Sequence, residues 1–237
     1  MEFYQLIIII ILFSAVQSIV GVGLLLLGTP TLLLLGYAYP EVLWILLPSS
    51  CVLSLLQIIE GYDLISTKKK AYFYTVPSLV ISLIIVIKLD YIIDIKKIVG
   101  IILLLIVALR FSAFPDTWMK IALKRYTDFF YLLIGFIHGC SNLGGAPLSV
   151  IVSATHKDRQ TVNANIAFVY FILALSQLLV LFSYESKVFS VSYLLFVPLV
   201  VFNHLVLSRL FTRKVNNITF KNFINLVILV FGVVCLL

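Results

Sequence analysis

Two polar residues stand just ahead of glycine-rich interruptions in otherwise apolar runs, Gln17 in the first half of the chain and His138 in the second, 121 positions apart. Two more, Gln57 and Gln177, fall in the apolar run after each interruption, 120 positions apart. Amides and neutral imidazoles give and take hydrogen bonds without a fixed charge. The first interruption is Gly21-Val22-Gly23, followed by Gly28-Thr29-Pro30; the second is Gly139-Cys140-Ser141-Asn142-Leu143-Gly144-Gly145-Ala146-Pro147. Glycine admits unusual backbone conformations and close approach, and proline removes a donor and cannot continue a helix. Backbone groups freed inside hydrocarbon must be buried in protein or line a wet cavity. One interruption alone would read as small-residue packing between helices. Two matched interruptions beside Ser141, Asn142 and His138 read instead as a binding site. The candidate substrate-binding residues are Gln17, Gly21, Gly23, Pro30, Gln57, His138, Gly139, Ser141, Asn142, Gly144, Gly145, Asn163 and Gln177.

The chemistry of this set is that of hydrogen-bond donation to an anion. No Asp or Glu lies in the middle of an apolar run; Glu41, Glu60, Asp128 and Glu185 fall at the ends. A cation pathway wants a carboxylate at mid-membrane, whereas amides, hydroxyls and helix N-termini favour negative charge. Catalysis and cofactors find no purchase. His138, His156 and His204 are scattered, and Cys51, Cys140 and Cys235 are isolated, so neither a metal centre nor a disulfide framework is expected. Gly23 and Gly28 mimic P-loop glycine spacing, but Thr29-Pro30 follows where Lys-Ser/Thr is required. No H-E-x-x-H occurs, and Ser49 and Ser50 have no histidine nearby in sequence. The expectation is a non-enzyme with no cofactor.

The elements that must position these residues are set by composition. Of 237 residues, 62% are hydrophobic and 11% charged, with a mean hydropathy of +1.18. A soluble domain is about 45–50% apolar and about 25% charged, so the solvent here is a lipid bilayer. The net charge of +7 comes from basic residues in the gaps between apolar runs. That pattern fits the positive-inside rule and excludes nucleic acid as a partner. The expected architecture is an all-α, multi-pass protein of the cytoplasmic (inner) membrane. Apolar helical runs are expected at Phe3–Val20 continuing through Leu24–Leu35, then Val42–Ile59, Tyr72–Ile87 and Lys97–Phe111. A wetter linker, Ser112–Asp128, follows. Beyond it come Phe129–His138 continuing through Ala146–Ala154, then Val162–Phe182, Val191–Leu210 and Phe220–Leu237. The chain thus divides into a first repeat, 1–111, a linker, 112–128, and a second repeat, 129–237. Each repeat holds a broken or re-entrant segment plus three transmembrane helices.

If the broken segments crossed the membrane, basic residues would split 8 against 9 between the two faces. If each returns to its starting face, the repeats are inverted and the split is 13 against 4. The second arrangement carries the charge bias that orients membrane proteins. It puts the basic loops in the cytoplasm and both termini outside. Matched interrupted helices in a duplicated chain are the sequence mark of a secondary transporter and its binding site.

Two blocks carry a resemblance to a known family. They are Gln17-Ser-Ile-Val-Gly21-Val-Gly23 through Gly28-Thr-Pro30-Thr-Leu, and Gly135-Phe-Ile-His138-Gly139 through Asn142-Leu-Gly144-Gly145-Ala-Pro147. The chain resembles the sulfite exporter TauE/SafE family of duplicated bacterial membrane carriers over nearly its whole length. It departs at Gly23-Leu24-Leu25, where many members carry a triple glycine. The resemblance implies movement of a small anionic solute, sulfite or an organosulfonate, across the cytoplasmic membrane, in the export direction. Uptake of a sulfur compound or another small solute is the alternative, and assembly as a homo-oligomer is left open.

Overall fold

A computed structural model describes residues 3–89, 92, 94–111, 121–123, 125–156, 158–211 and 217–237, excepting the side chains at 20, 109–111, 159, 208–211 and 217–224. The described elements are helices. They are α1 (Phe3–Val20), α2 (Leu24–Leu34), α3 (Tyr39–Glu60), α4 (Lys68–Lys88), α5 (Ile95–Phe111), α6 (Thr127–Ser141), α7 (Gly145–Thr155), α8 (Arg159–Tyr184), α9 (Phe196–Phe211) and α10 (Asn217–Val234). By length and composition, Tyr39–Glu60, Lys68–Lys88 and Gln160–Tyr184 can cross a membrane, and shorter apolar helices accompany them.

Local chemistry sets the boundaries. Pro40 in the first turn of α3 has no N–H to leave unsatisfied, and Asp158 Oδ2 accepts from Thr161 N at 2.8 Å to cap α8. Gly36, at φ 92°, takes the left-handed conformation that ends α2. Several expected limits shift. Gly28-Thr29-Pro30 does not interrupt a helix; α2 runs through it, and only Gly21–Gly23 separates α1 from α2. Thr127 and Asp128, assigned to the linker, already belong to α6, while 112–120 and 124 lie outside the described residues. Val191–Leu195 is a 3₁₀ segment ahead of α9.

Contacts along the helices fix their directions. Trp44 Nε1 at the start of α3 donates to Glu185 O just past the end of α8, at 2.9 Å. At the other end, Asn165 Nδ2 of α8 donates to Leu64 O beyond α3, at 2.9 Å. So α3 and α8 pack antiparallel. Continuous crossings at both interruptions would make them parallel. Phe3 stacks on Phe196 at 5.1 Å and Ser18 meets His204 at 3.1 Å, so α1 and α9 run parallel. In the same way α4 and α6 run parallel, joined by Lys70–Asp128 at 2.9 Å and by Ser78 Oγ donating to Leu132 O at 2.7 Å. Helices α5 and α10 pack together, with Gly100 against Cys235 and Gly232.

One end of the bundle therefore gathers residues 61–70, Asp128 and the 156–165 region, with Ser66 Oγ 3.3 Å from His156 Nε2. The opposite end holds Phe3, Glu41, Trp44, Glu185 and Tyr193. At both interruptions the chain reverses. Gly23 returns to Val16 and Gln17, and Gly144 to Ile134 and His138. The α1–α2 hairpin has its tip, Gly21, beside Asn163 near the lysine-rich end. The α6–α7 hairpin points the other way, with Gly139 O accepting from Tyr39 Oη at 3.3 Å.

Candidate functional site

At each hairpin tip, a side chain from the entering helix caps the N-terminus of the leaving one. Gln17 Oε1 accepts from Leu24 N at 3.2 Å. His138 Nδ1 accepts from Gly144 N at 3.2 Å. A backbone N–H can only donate, so it fixes both acceptors. The Gln17 amide must present its oxygen to α2, and neutral His138 must carry its proton on Nε2. Each cap keeps one donor group without a partner, Gln17 Nε2 and His138 Nε2, and both side chains are fully buried.

The two following glutamines lie beside these caps. Gln57 Nε2 donates to Gln17 O at 3.2 Å and leaves Oε1 unpartnered. Gln177 lies against the His138 ring without completing a hydrogen bond, so neither of its amide atoms is partnered. The Tyr170 ring meets the His138 ring edge-on, 5.9 Å between centroids. Burying polar atoms without partners costs about 1–3 kcal/mol each. A cluster of them in the core is what a site for a polar guest looks like.

Asn142 ends α6 at φ 63°, the only non-glycine with positive φ among the described residues. Asparagine tolerates this conformation better than most residues. Its Nδ2 donates to Thr29 Oγ1 on α2 at 3.0 Å, and Oδ1 is unpartnered. This bond joins the second interruption to the Gly28-Thr29-Pro30 segment. Thr29 is a fully buried member of the site that sequence reasoning missed. The sequence places it in the Gly28-Thr29-Pro30 block without giving it a role, because its partner is 113 positions away.

The other candidates have the following neighbours. Ser141 donates to Ile137 O at 2.6 Å and accepts from Leu143 N at 3.3 Å, so its proton stays within the turn. A Cβ on Gly139 would overlap Ser82 Oγ and crowd Leu79 O of α4, and Gly135 stands equally close to Thr75 O. Gly135-x-x-x-Gly139 is thus the small-residue face on which α4 and α6 pack. A Cβ on Gly145 would overlap the Tyr170 hydroxyl, one on Gly144 would come 2.6 Å from His138 Cβ, and one on Gly23 would come 2.6 Å from Gln17 N. Gly21, at φ 84°, faces Asn163 Oδ1. Pro30 is buried inside α2, where it withholds a hydrogen bond from the preceding turn.

Among the described residues, the buried polar side chains are hydroxyls, amides and imidazoles, with no carboxylate, ammonium or guanidinium. No group of three or more His, Cys, Asp or Glu is placed to hold a metal among them. A groove lined by Leu33, Gly36, Tyr37, Tyr39, Asp94, Ile95 and Lys96 opens at the end opposite the lysine-rich one. Burial, and then the Glu41 carboxylate, push the Tyr37 phenol up, which keeps it a neutral donor. Tyr39 forms the floor of this groove and reaches Gly139 O at the second hairpin tip.

The family model for the sulfite exporter TauE/SafE matches residues 6–235, nearly all of the 237. The chain belongs to the TauE/SafE family. Neither the curated proteins nor the solved structures contain a significant match. Membership makes this a membrane transporter of the sulfur-anion class. The match spans both hairpins.

Proposed function

We propose that the protein is a secondary carrier that exports a small sulfur oxyanion, sulfite or an organosulfonate, across the cytoplasmic membrane. One observation carries this reading. Gln17 and His138 spend an acceptor on a helix N-terminus and keep a buried donor group free, while Gln177 adds an unpartnered amide nitrogen beside His138. Donors and helix N-termini suit an oxyanion, and no buried carboxylate competes with it. Asn142 and Thr29 connect the two hairpins, so movement of one would be felt at the other.

The two sequence repeats supply the moving parts in this reading. Each has a hairpin followed by three helices. The strong contacts between repeats come in matched sets, α1 with α9 against α6 with α4, and α9 with α3 against α4 with α8. Such an inverted pair can exchange conformations and open the site to alternate faces. The lysine-rich end faces the cytoplasm by the positive-inside rule. Uptake is the same carrier run along the opposite gradient, and growth on a sulfur source with and without the gene distinguishes the two directions. The test is flux of radiolabelled sulfite, sulfonates and simple carboxylates in proteoliposomes. Saturable sulfite or sulfonate flux is expected; no flux of any anion under any gradient would refute the proposal.

A further inference from the structure

Beside the first hairpin, His204 of α9 is held between two helices of the other repeat. Its Nδ1 lies 3.1 Å from Ser18 Oγ on α1, one residue past the cap Gln17. Its Nε2 lies 3.2 Å from Glu60 Oε1, at the end of α3 and three residues past Gln57. The His204 side chain is 2% exposed and that of Glu60 is 53% exposed. Glu60 sits at the lysine-rich end, followed by Asp63 on the turn Tyr62–Leu64. The carboxylate thus faces the aqueous rim while the imidazole lies inside. Neither residue belongs to the substrate site described above.

The hydrogen-bond arithmetic permits two complete patterns that differ by one proton. The Ser18 hydroxyl also lies 2.8 Å from Ser14 O, to which it can donate. With His204 neutral, Ser18 turns its proton to Nδ1, and Nε2–H donates to Glu60. With His204 doubly protonated, Nδ1–H donates to Ser18, which turns its own proton to Ser14 O. The Nε2–H···Glu60 contact then becomes an ion pair. Every polar atom of the imidazole is partnered in both states, and only a hydroxyl rotates.

We propose that His204, gated by Ser18 and fed through Glu60, is the proton-binding site that couples transport to the proton gradient. This rests on the carrier reading above. A proton that arrives on the exposed Glu60 carboxylate passes to His204 Nε2 when the neutral ring carries its own proton on Nδ1, donated to Ser18 while Ser18 donates to Ser14 O, and it leaves by the same route or after the helices reorient. The elements packed on α9 bring few charged groups near His204. Helix α3 brings Glu60 near it and Glu41 at the far end. Helix α1 brings the uncharged Ser14 and Ser18; its one titratable group, Tyr4, lies at the opposite end. The segment Val191–Leu195 brings Tyr193, which donates to Glu41. Among the described residues, Glu60 is therefore the charged partner that faces His204. The location explains how a proton could affect transport, since α1 carries Gln17 and α3 carries Gln57. Charging His204 pulls on both helices that hold the first cap.

The test uses the full-length protein in proteoliposomes, with radiolabelled sulfite. In wild type, a pH gradient of one sign should accelerate net flux severalfold and the opposite sign should slow it. In His204→Gln, net flux should ignore the gradient while exchange of labelled for unlabelled sulfite at equal pH persists. Glu60→Gln should flatten the response in the same way. Wild-type flux indifferent to the gradient, or His204→Gln still responding to it, overturns the proposal and leaves the carrier reading standing. Absence of sulfite exchange in wild type refutes the carrier reading instead. Nitrogen NMR of histidine-labelled protein then decides the proton site, with His204 assigned through His204→Gln. The expected result is that both ring nitrogens become protonated in acid, with a midpoint that moves in Glu60→Gln. A His204 that stays neutral throughout overturns the proposal.

Discussion

Asn142 has two roles that substitution can separate. It holds a left-handed turn at φ 63°, and its amide reaches Thr29. Asn142→Gly keeps the conformation and removes the amide, whereas Asn142→Ala loses both. If the residue served only as a cap, glycine would restore function. Asn142→Gly is expected to insert and fold like wild type, yet to bind sulfite tenfold to a hundredfold more weakly, because a hydrogen bond to a charged group is worth roughly 1.5–3 kcal/mol. Asn142→Ala should also unfold at a lower temperature. Flux measured at a series of sulfite concentrations, with thermal melting of the same preparations, checks both expectations. Unchanged affinity in the glycine variant would leave Asn142 with the turn alone.

At the scale of elements, the hairpins depend on caps borrowed from the preceding helix. Gln17 Oε1 and His138 Nδ1 each satisfy an N–H that a helix start would otherwise leave open. Gln17→Met keeps the length of the side chain and removes the acceptor. It should cost about 1 kcal/mol as a lost N-cap, seen as earlier thermal unfolding, and should impair flux besides. The sequence made these elements legible in different degrees. The pairing of Gln17 with His138 could be read from nearly equal offsets, 121 positions against 120 for Gln57 and Gln177, because each cap sits a similar distance ahead of the N–H it meets, seven residues for Gln17 and six for His138. Thr29 could not be read, because its significance comes from contact with Asn142 across 113 positions. Gly139 was legible as special but not as to why. A glycine that packs on Ser82 and Leu79 of α4 looks, in one dimension, like a glycine that shapes a site. The proline in Gly28-Thr29-Pro30 suggested an interruption, yet the buried surroundings of α2 keep the helix running through it.

For the whole molecule, helix directions make a topological prediction. The loops around Lys69 and Asp158 share one end, since Ser66 and His156 are in contact there. Single cysteines at Lys69 and Asp158, in a background lacking Cys51, Cys140 and Cys235, should both be shielded from an impermeant thiol reagent in intact cells. Both should react in inside-out vesicles. Reaction at one and protection at the other would break the inverted arrangement. The charge bias of 13 against 4 in the sequence points to the same inverted arrangement, which this labelling tests. The long-range hydrogen bonds, such as Trp44 to Glu185 O, lay beyond any local pattern.

The central claim is that the unpartnered donors around the caps, Gln17 Nε2, His138 Nε2 and Gln177 Nε2, wait for an anion, and Gln177 tests it most directly. Both of its amide atoms are buried without partners. Replacing such a group with an apolar side chain of similar shape is neutral or stabilising when no ligand is involved. Equilibrium binding of radiolabelled sulfite to purified wild type and Gln177→Leu, with thermal melting alongside, is therefore the decisive comparison. The account predicts that Gln177→Leu melts at the wild-type temperature or above it and binds sulfite at least tenfold more weakly. Equal sulfite affinity in the two proteins would contradict it.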